Sequence, residues 1–266
     1  MNIENFQPVA GDHAVEAAYF VLEWAEPLRS DATLALAKLA TKFRNLGLPA
    51  MAPQQTVSFQ IGPDAGNSVN TAGVSGFLFS PAPAPNFGTQ VLVSSQNCMI
   101  TIPEYTRWDS VFAIVSEHLK VVLEEVGPLR PVKVIGLQYT DAFNWNDDPD
   151  NLELSEIFKP DFVIPPNVLK QKGLWHLHHG YLERSQTPLP HSLLENINVD
   201  MVEKAAGRRL QIIASHRATL DSPLWQPHMK NKPFLNEMFL LLHEKNKRML
   251  RSLLTDAVCG RIQLNA

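Results

Sequence analysis

The chain reads as one series of elements written twice, and that pattern constrains its fold more than any single motif does. A β-prone run, Glu16-Ala17-Ala18-Tyr19-Phe20-Val21-Leu22-Glu23-Trp24, precedes a helix pattern, a set of strand candidates and a long amphipathic helix; Val132 to Tyr139 then opens a similar series. In the first series Ser30 reads as an N-cap with Asp31 in the first turn, Leu36, Leu39, Ala40, Phe43 and Leu46 recur at helical spacing, and Gly47 and Pro49 supply the stop. Strands are predicted at 56–61, 74–79, 90–94 and 99–102, with Gly, Pro, Asn and Asp concentrated in the connectors 62–67 and 80–86. Thr106 and Asp109 have the spacing of a reciprocal cap, and Trp108, Val111, Phe112, Val115, Leu119, Val122 and Val126 form a buried stripe ended by Gly127-Pro128.

The second series has a strand at 132–139, an acidic linker at 146–150 and a short helix at 152–158 broken by Pro160, Pro165 and Pro166. Strands at 174–183, 193–202 and 209–218 lead to a closing helix from about Pro233, striped by Leu235, Met238, Phe239, Leu242, Met249, Leu250 and Leu253. The long helices lie about 125 residues apart and the opening strands about 115, as a tandem repeat requires. The expected fold class is therefore α+β: two tandem β-α-β(3–4)-α units, residues 13–130 and 131–266, with antiparallel sheets covered on one side by long helices. The halves share almost no residue identity, so one irregular α+β domain is the alternative. The repeated order resembles TATA-binding-protein-like folds, in which two such units join their sheets into a curved saddle.

With 266 residues, 45% of them apolar and 19% charged, the chain has enough apolar side chains for a substantial core. No apolar run reaches bilayer length, and Met1-Asn2-Ile3-Glu4-Asn5 lacks a secretory start, so a cytoplasmic protein is expected. Cys98 and Cys259 form no CxxC and signal neither a disulfide framework nor a zinc site.

Chemistry-bearing patterns are few. Within Trp175-His176-Leu177-His178-His179, strand alternation puts His176 and His178 on one face at a spacing that could share a metal, with His191, His216, His228 or His243 as a third ligand brought in by the fold. The bland reading is an exposed strand with locally bonded histidines. Asp147, Asp148, Asp150, Glu153 and Glu156 gather near a helix start, where its dipole favours them, without EF-hand spacing. Nucleophile elbow, phosphate loop and HExxH motifs are absent, so no cofactor or catalytic residue is assigned. Residues 201–266 hold 11 Lys+Arg against 5 Asp+Glu, whereas the first 200 hold 12 against 22. Arg208, Arg209, Arg217, Lys230, Lys232, Lys245, Lys247, Arg248 and Arg251 thus define a candidate nucleic-acid patch, opposed by the acidity of the remainder. Trp108, Phe112 and Tyr139 are assigned to packing.

Val15-Glu16-Ala17 with Leu22-Glu23, Tyr105-x-x-Trp108-x-x-x-Phe112, Ile135-Gly136-Leu137-Gln138-Tyr139, Leu242-His243-Glu244-Lys245-Asn246 and Leu254-Thr255-Asp256 together cover nearly the whole chain. In these segments the sequence resembles a sporadically distributed family of bacterial proteins of similar length and no assigned activity. Members usually carry Arg before the Tyr and Asn after it in the central strand; Gln138 and Thr140 stand there here. The resemblance implies an accessory protein, antitoxin-like or defence-associated. The functional expectation is a non-enzymatic recognition module that binds a protein partner or a second copy of itself, with nucleic-acid binding or metal-assisted hydrolysis as alternatives.

Overall fold

Each element forms where its sequence period demands it. The structure, a computed structural model, describes residues 3–62, 65–83, 88–160, 163–204, 207–225 and 234–264, and only the backbone at 56–62 and 65–72. The strands are β1 (Phe6–Pro8), β2 (Val15–Trp24), β3 (Ala50–Gly62), β4 (Ala65–Ser80), β5 (Gln90–Ser94), β6 (Asn97–Ile102), β7 (Val132–Trp145), β8 (Trp175–Ser185), β9 (His191–Lys204) and β10 (Gly207–Leu224). The helices are α1 (Ser30–Ala35), α2 (Leu39–Asn45), α3 (Trp108–Val126), α4 (Phe234–Leu253) and α5 (Asp256–Arg261). Among the described residues no helix is long and apolar enough to cross a membrane.

The strands join one antiparallel sheet in the order β3-β4-β5-β6-β2-β7-β10-β9-β8, with β1 added on β7. This overturns the expected fold class of two tandem β-α-β(3–4)-α units, each with its own sheet under a long helix. Strands take 42% of the residues against 31% in helix, so one large sheet sets the architecture. The physical reason lies in edge pairing. A strand at the border of a separate sheet leaves a row of backbone donors and acceptors unpaired, and setting β2 beside β7 removes two such borders at once.

By proximity the chain groups into two compact units, residues 20–135 with 220–233, and residues 1–19 with 136–219 and 234–266. In the first, Val91 and Val93 of β5 stand opposite Ile100 and Cys98 of β6, and all four are fully buried. Helix α3 buries Val111, Val115, Leu119, Val122 and Val126 of the predicted stripe, while Trp108 and Phe112 at its start are half-buried. Phe43 of α2 packs against Phe79 of β4 with ring centroids 4.6 Å apart. Gly76 has to be glycine: a Cβ there would stand 2.5 Å from the Val93 carbonyl oxygen. The two expected caps differ from the sequence reading. Helix α1 starts one residue earlier, with Arg29 as N-cap, and α3 has Arg107 there; neither cap makes a side-chain hydrogen bond.

In the second unit, β9 alternates strictly, burying His191, Leu193, Glu195, Ile197, Val199 and Met201 on one face. That face shares a core with Leu250 and Leu253 of α4 and with Phe143 and Trp145 of β7. Phe6 of β1 stacks on Phe143 at 4.7 Å. Strand β7 runs six residues past the predicted end at Tyr139 and stops at Trp145, just before the segment read as linker. The predicted helix at 152–158 is instead a pair of 3-10 turns, Pro149–Asn151 and Leu154–Glu156. The first is capped by Asp148, which accepts from the Asp150 amide at 2.9 Å, so the acids there serve the turn. Pro233, the expected start of the closing helix, and connector positions 63–64 and 84–86 lie outside the described residues.

Trp108 stacks on Phe112 at 4.8 Å and faces the fully buried Phe20 at 6.0 Å. Trp108→Ala should therefore lower the urea unfolding free energy by about 3 kcal/mol. An unchanged midpoint would show that the ring does not anchor α3.

Candidate functional site

Two strands and a helix each place a polar side chain where their period demands an apolar one, and these side chains meet. Glu195 lies between Leu193 and Ile197 on the buried face of β9, His216 between Ala214 and Ala218 on β10, and Asn246 between Leu242 and Leu250 on α4. Tyr139 of β7, fully buried, sends its hydroxyl to His243 Nδ1 of α4 at 2.9 Å. His216 Nδ1 lies 3.1 Å from Glu195 Oε2 and its Nε2 lies 3.2 Å from Asn246 Oδ1. The carboxylate requires the proton on Nδ1, and the Asn246 amide serves Nε2 with either of its ends. Lys245, the next residue on α4, ion-pairs with Glu183 of β8 and reaches Glu195 Oε1 at 3.3 Å.

The charges are held in place by one another. Burial works to raise the Glu195 pKa, but the hydrogen bonds and charges of His216 and Lys245 together outweigh it and hold the carboxyl below its usual value. Burial works to lower Lys245, and the two carboxylates outweigh it in turn and raise the ammonium. Glu195 therefore supports the fold above about pH 4.5 and loses that support as pH falls through its depressed folded value; Lys245 supports it below about pH 10.5 and loses that support through its raised value. Above this network opens a cleft of about 200 Å³, lined by His179, Tyr181, Glu195, Lys245, Arg248 and Met249 among others.

A second buried acid stands apart. Asp141, on β7 between Tyr139 and Phe143, is 1% exposed, and its Oδ2 has no hydrogen-bond partner among the described residues. Burial pushes its carboxyl up to about 7.

The structure distributes the sequence-predicted site residues differently from the expected clusters. His176 and His178 do share the outer face of β8, opposite Asp200 and Asn198 of β9, and His176 Nδ1 contacts Asp200 Oδ1. His191 and His216 lie on the opposite, buried face, and His243 reaches Tyr139 there; His228 is outside the described residues. Among the described residues no group of three His, Cys, Asp or Glu side chains is placed to hold a metal. The basic residues are spread over several elements. Arg208 donates to the carbonyls of Pro149 and Lys172, Arg209 pairs with Glu16, Lys247 with Glu244, and Arg251 donates to the Leu264 carbonyl. Arg217 is exposed on the outer face of β10, Lys245 and Arg248 line the cleft, and Lys230 and Lys232 are outside the described residues.

Glu195, Asn246 and Asp141 escaped the sequence reading, and His216 entered it only as a metal ligand. A signal was available: each is a polar residue in phase with the apolar face of its own element, where burial demands a partner.

No family model matches the chain, and no curated protein matches it significantly.

His216→Ala should cost about 3–5 kcal/mol in urea unfolding, because it strands a buried carboxylate. Its double-mutant cycle with Glu195→Gln should show about 1 kcal/mol or more of coupling; additive effects would show that the two side chains do not act together. For Asp141, whose folded pKa lies above the unfolded value, stability is greatest below about pH 4 and is lost as pH rises to about 7. Asp141→Asn should thus gain about 2–3 kcal/mol on the wild type between pH 5 and pH 8. Parallel pH profiles of the two proteins would contradict this.

Proposed function

We propose that this is a non-enzymatic recognition protein that takes a partner protein onto the open edge formed by β8, by strand addition. One observation carries the reading: β8 ends the sheet and pairs residue for residue with β9 over eleven positions without a register shift, while no other strand pairs with it among the described residues. A long regular edge of this kind is a template for another strand. Every residue of β8 is at least partly exposed, and Leu182 is 71% exposed on the outer face with Leu194 opposite it. Such an edge persists in a working protein when something pairs with it. The resembling bacterial proteins point to an accessory, antitoxin-like or defence-associated role in the cytoplasm, and a second copy of the chain is the other occupant such an edge admits.

The test is purification of the full chain from its source cell, with amide hydrogen exchange on any complex recovered. A stoichiometric protein partner should co-elute, residues 175–185 should gain protection, and Leu182→Lys should weaken the complex by at least tenfold. A doubled mass with the same protection would identify a second copy as the occupant. Elution as a lone monomer, or a complex indifferent to Leu182→Lys with an unprotected β8, would sink the proposal.

A further inference from the structure

The outer face of β8 carries two histidines that strand addition does not use. Alternation sets His176 and His178 on one side of the sheet, and the register places Asp200 of β9 directly opposite the first and Asn198 directly opposite the second. All four side chains belong to one compact unit. Main-chain groups form the edge, whereas these side chains stand off the face, so either feature can fail without the other.

His176 is held as a metal ligand is held. Its Nδ1 contacts Asp200 Oδ1, and a carboxylate there requires the proton on Nδ1, which leaves the lone pair on Nε2. Metal-bound histidines characteristically hand their second ring nitrogen to a carboxylate in this way. The side chain is 59% exposed, so an ion reaches it from solvent. His178 is exposed beside it, with the Asn198 amide opposite as an acceptor for its own second nitrogen. The spacing suits one shared ion. Residues two apart on a strand stand about 6.7 Å from each other, and two imidazole nitrogens bound at about 2.05 Å to one tetrahedral ion stand about 3.4 Å apart. A lean of about 1.7 Å by each ring closes that difference. Among the described residues no set of three His, Cys, Asp or Glu side chains is placed to hold an ion, so two imidazoles are the protein's share and water completes the coordination.

We propose that His176 and His178 chelate one divalent transition ion of the copper–zinc class through their Nε2 atoms, with Asp200 as the positioning residue of the first ring. Neutral imidazoles suit these ions, whereas magnesium and calcium require oxygen ligands.

The test is calorimetric titration of the untagged full chain with copper(II) chloride and with zinc chloride, together with paramagnetic resonance of the copper form. One equivalent of each ion should bind saturably, copper more tightly than zinc, and the copper spectrum should show two nitrogen ligands. His176→Gln and His178→Gln, both exposed changes that leave the core intact, should each weaken binding about tenfold or more and reduce the spectrum to one nitrogen. Asp200→Asn should cost about tenfold while both nitrogens stay in the spectrum, a pairing that loss of structure would not give. Absence of saturable binding, a single nitrogen in the wild-type spectrum, or unaltered affinity in any of the three variants would each overturn the proposal.

Discussion

A carboxylate in the seam between a sheet and its covering helix has to be neutralised where it stands, and in one unit of this protein the position of Glu195 decides much of what surrounds it. Water is excluded there, so His216 must come from β10, Lys245 and Asn246 from α4, and Glu183 from β8 to balance the lysine. Four elements are thus held in register by one charge. Apolar packing alone would let α4 slide along the strands at little cost, because leucines exchange neighbours freely. The polar network specifies a single seating, and in doing so leaves cations and carboxylates lining the cleft above it.

Strand β8 has two different environments on its two faces, a direct result of the period of two. Its odd positions, His179, Tyr181 and Glu183, look toward the cleft and the Lys245 pair, whereas its even positions, His176, His178 and Leu182, look outward beside Asp200, Asn198 and Leu194. Gly180 sits under the Asn196 side chain, whose Oδ1 would be 2.1 Å from any added Cβ. The strand is therefore locked to β9 on one side and chemically presented on the others. Edge and cleft share this one strand.

Much of the local structure was legible. The stripe from Val111 to Val126, the alternation from Leu193 to Met201 and the stop at Gly47, whose φ is 82°, are written in short-range spacing that burial and backbone sterics then obey. The site was less legible, since polar residues in core phase were passed over in favour of the exposed His176 and His178 pair. Histidines two positions apart catch the eye; a single Glu at position 195 between Leu193 and Ile197 does not, although the second carries the stronger physical demand.

The amino-acid sequence by itself determined most of the strands, both long helices and which face of each turns inward, because those properties repeat within a few residues. Only the tertiary structure decided that the strands extend one sheet, that β8 stays at its border, and that Glu195, His216 and Asn246 meet. Strand pairing and charge neutralisation join residues far apart in the chain, and no local period encodes which distant partner satisfies a backbone edge or a buried carboxylate.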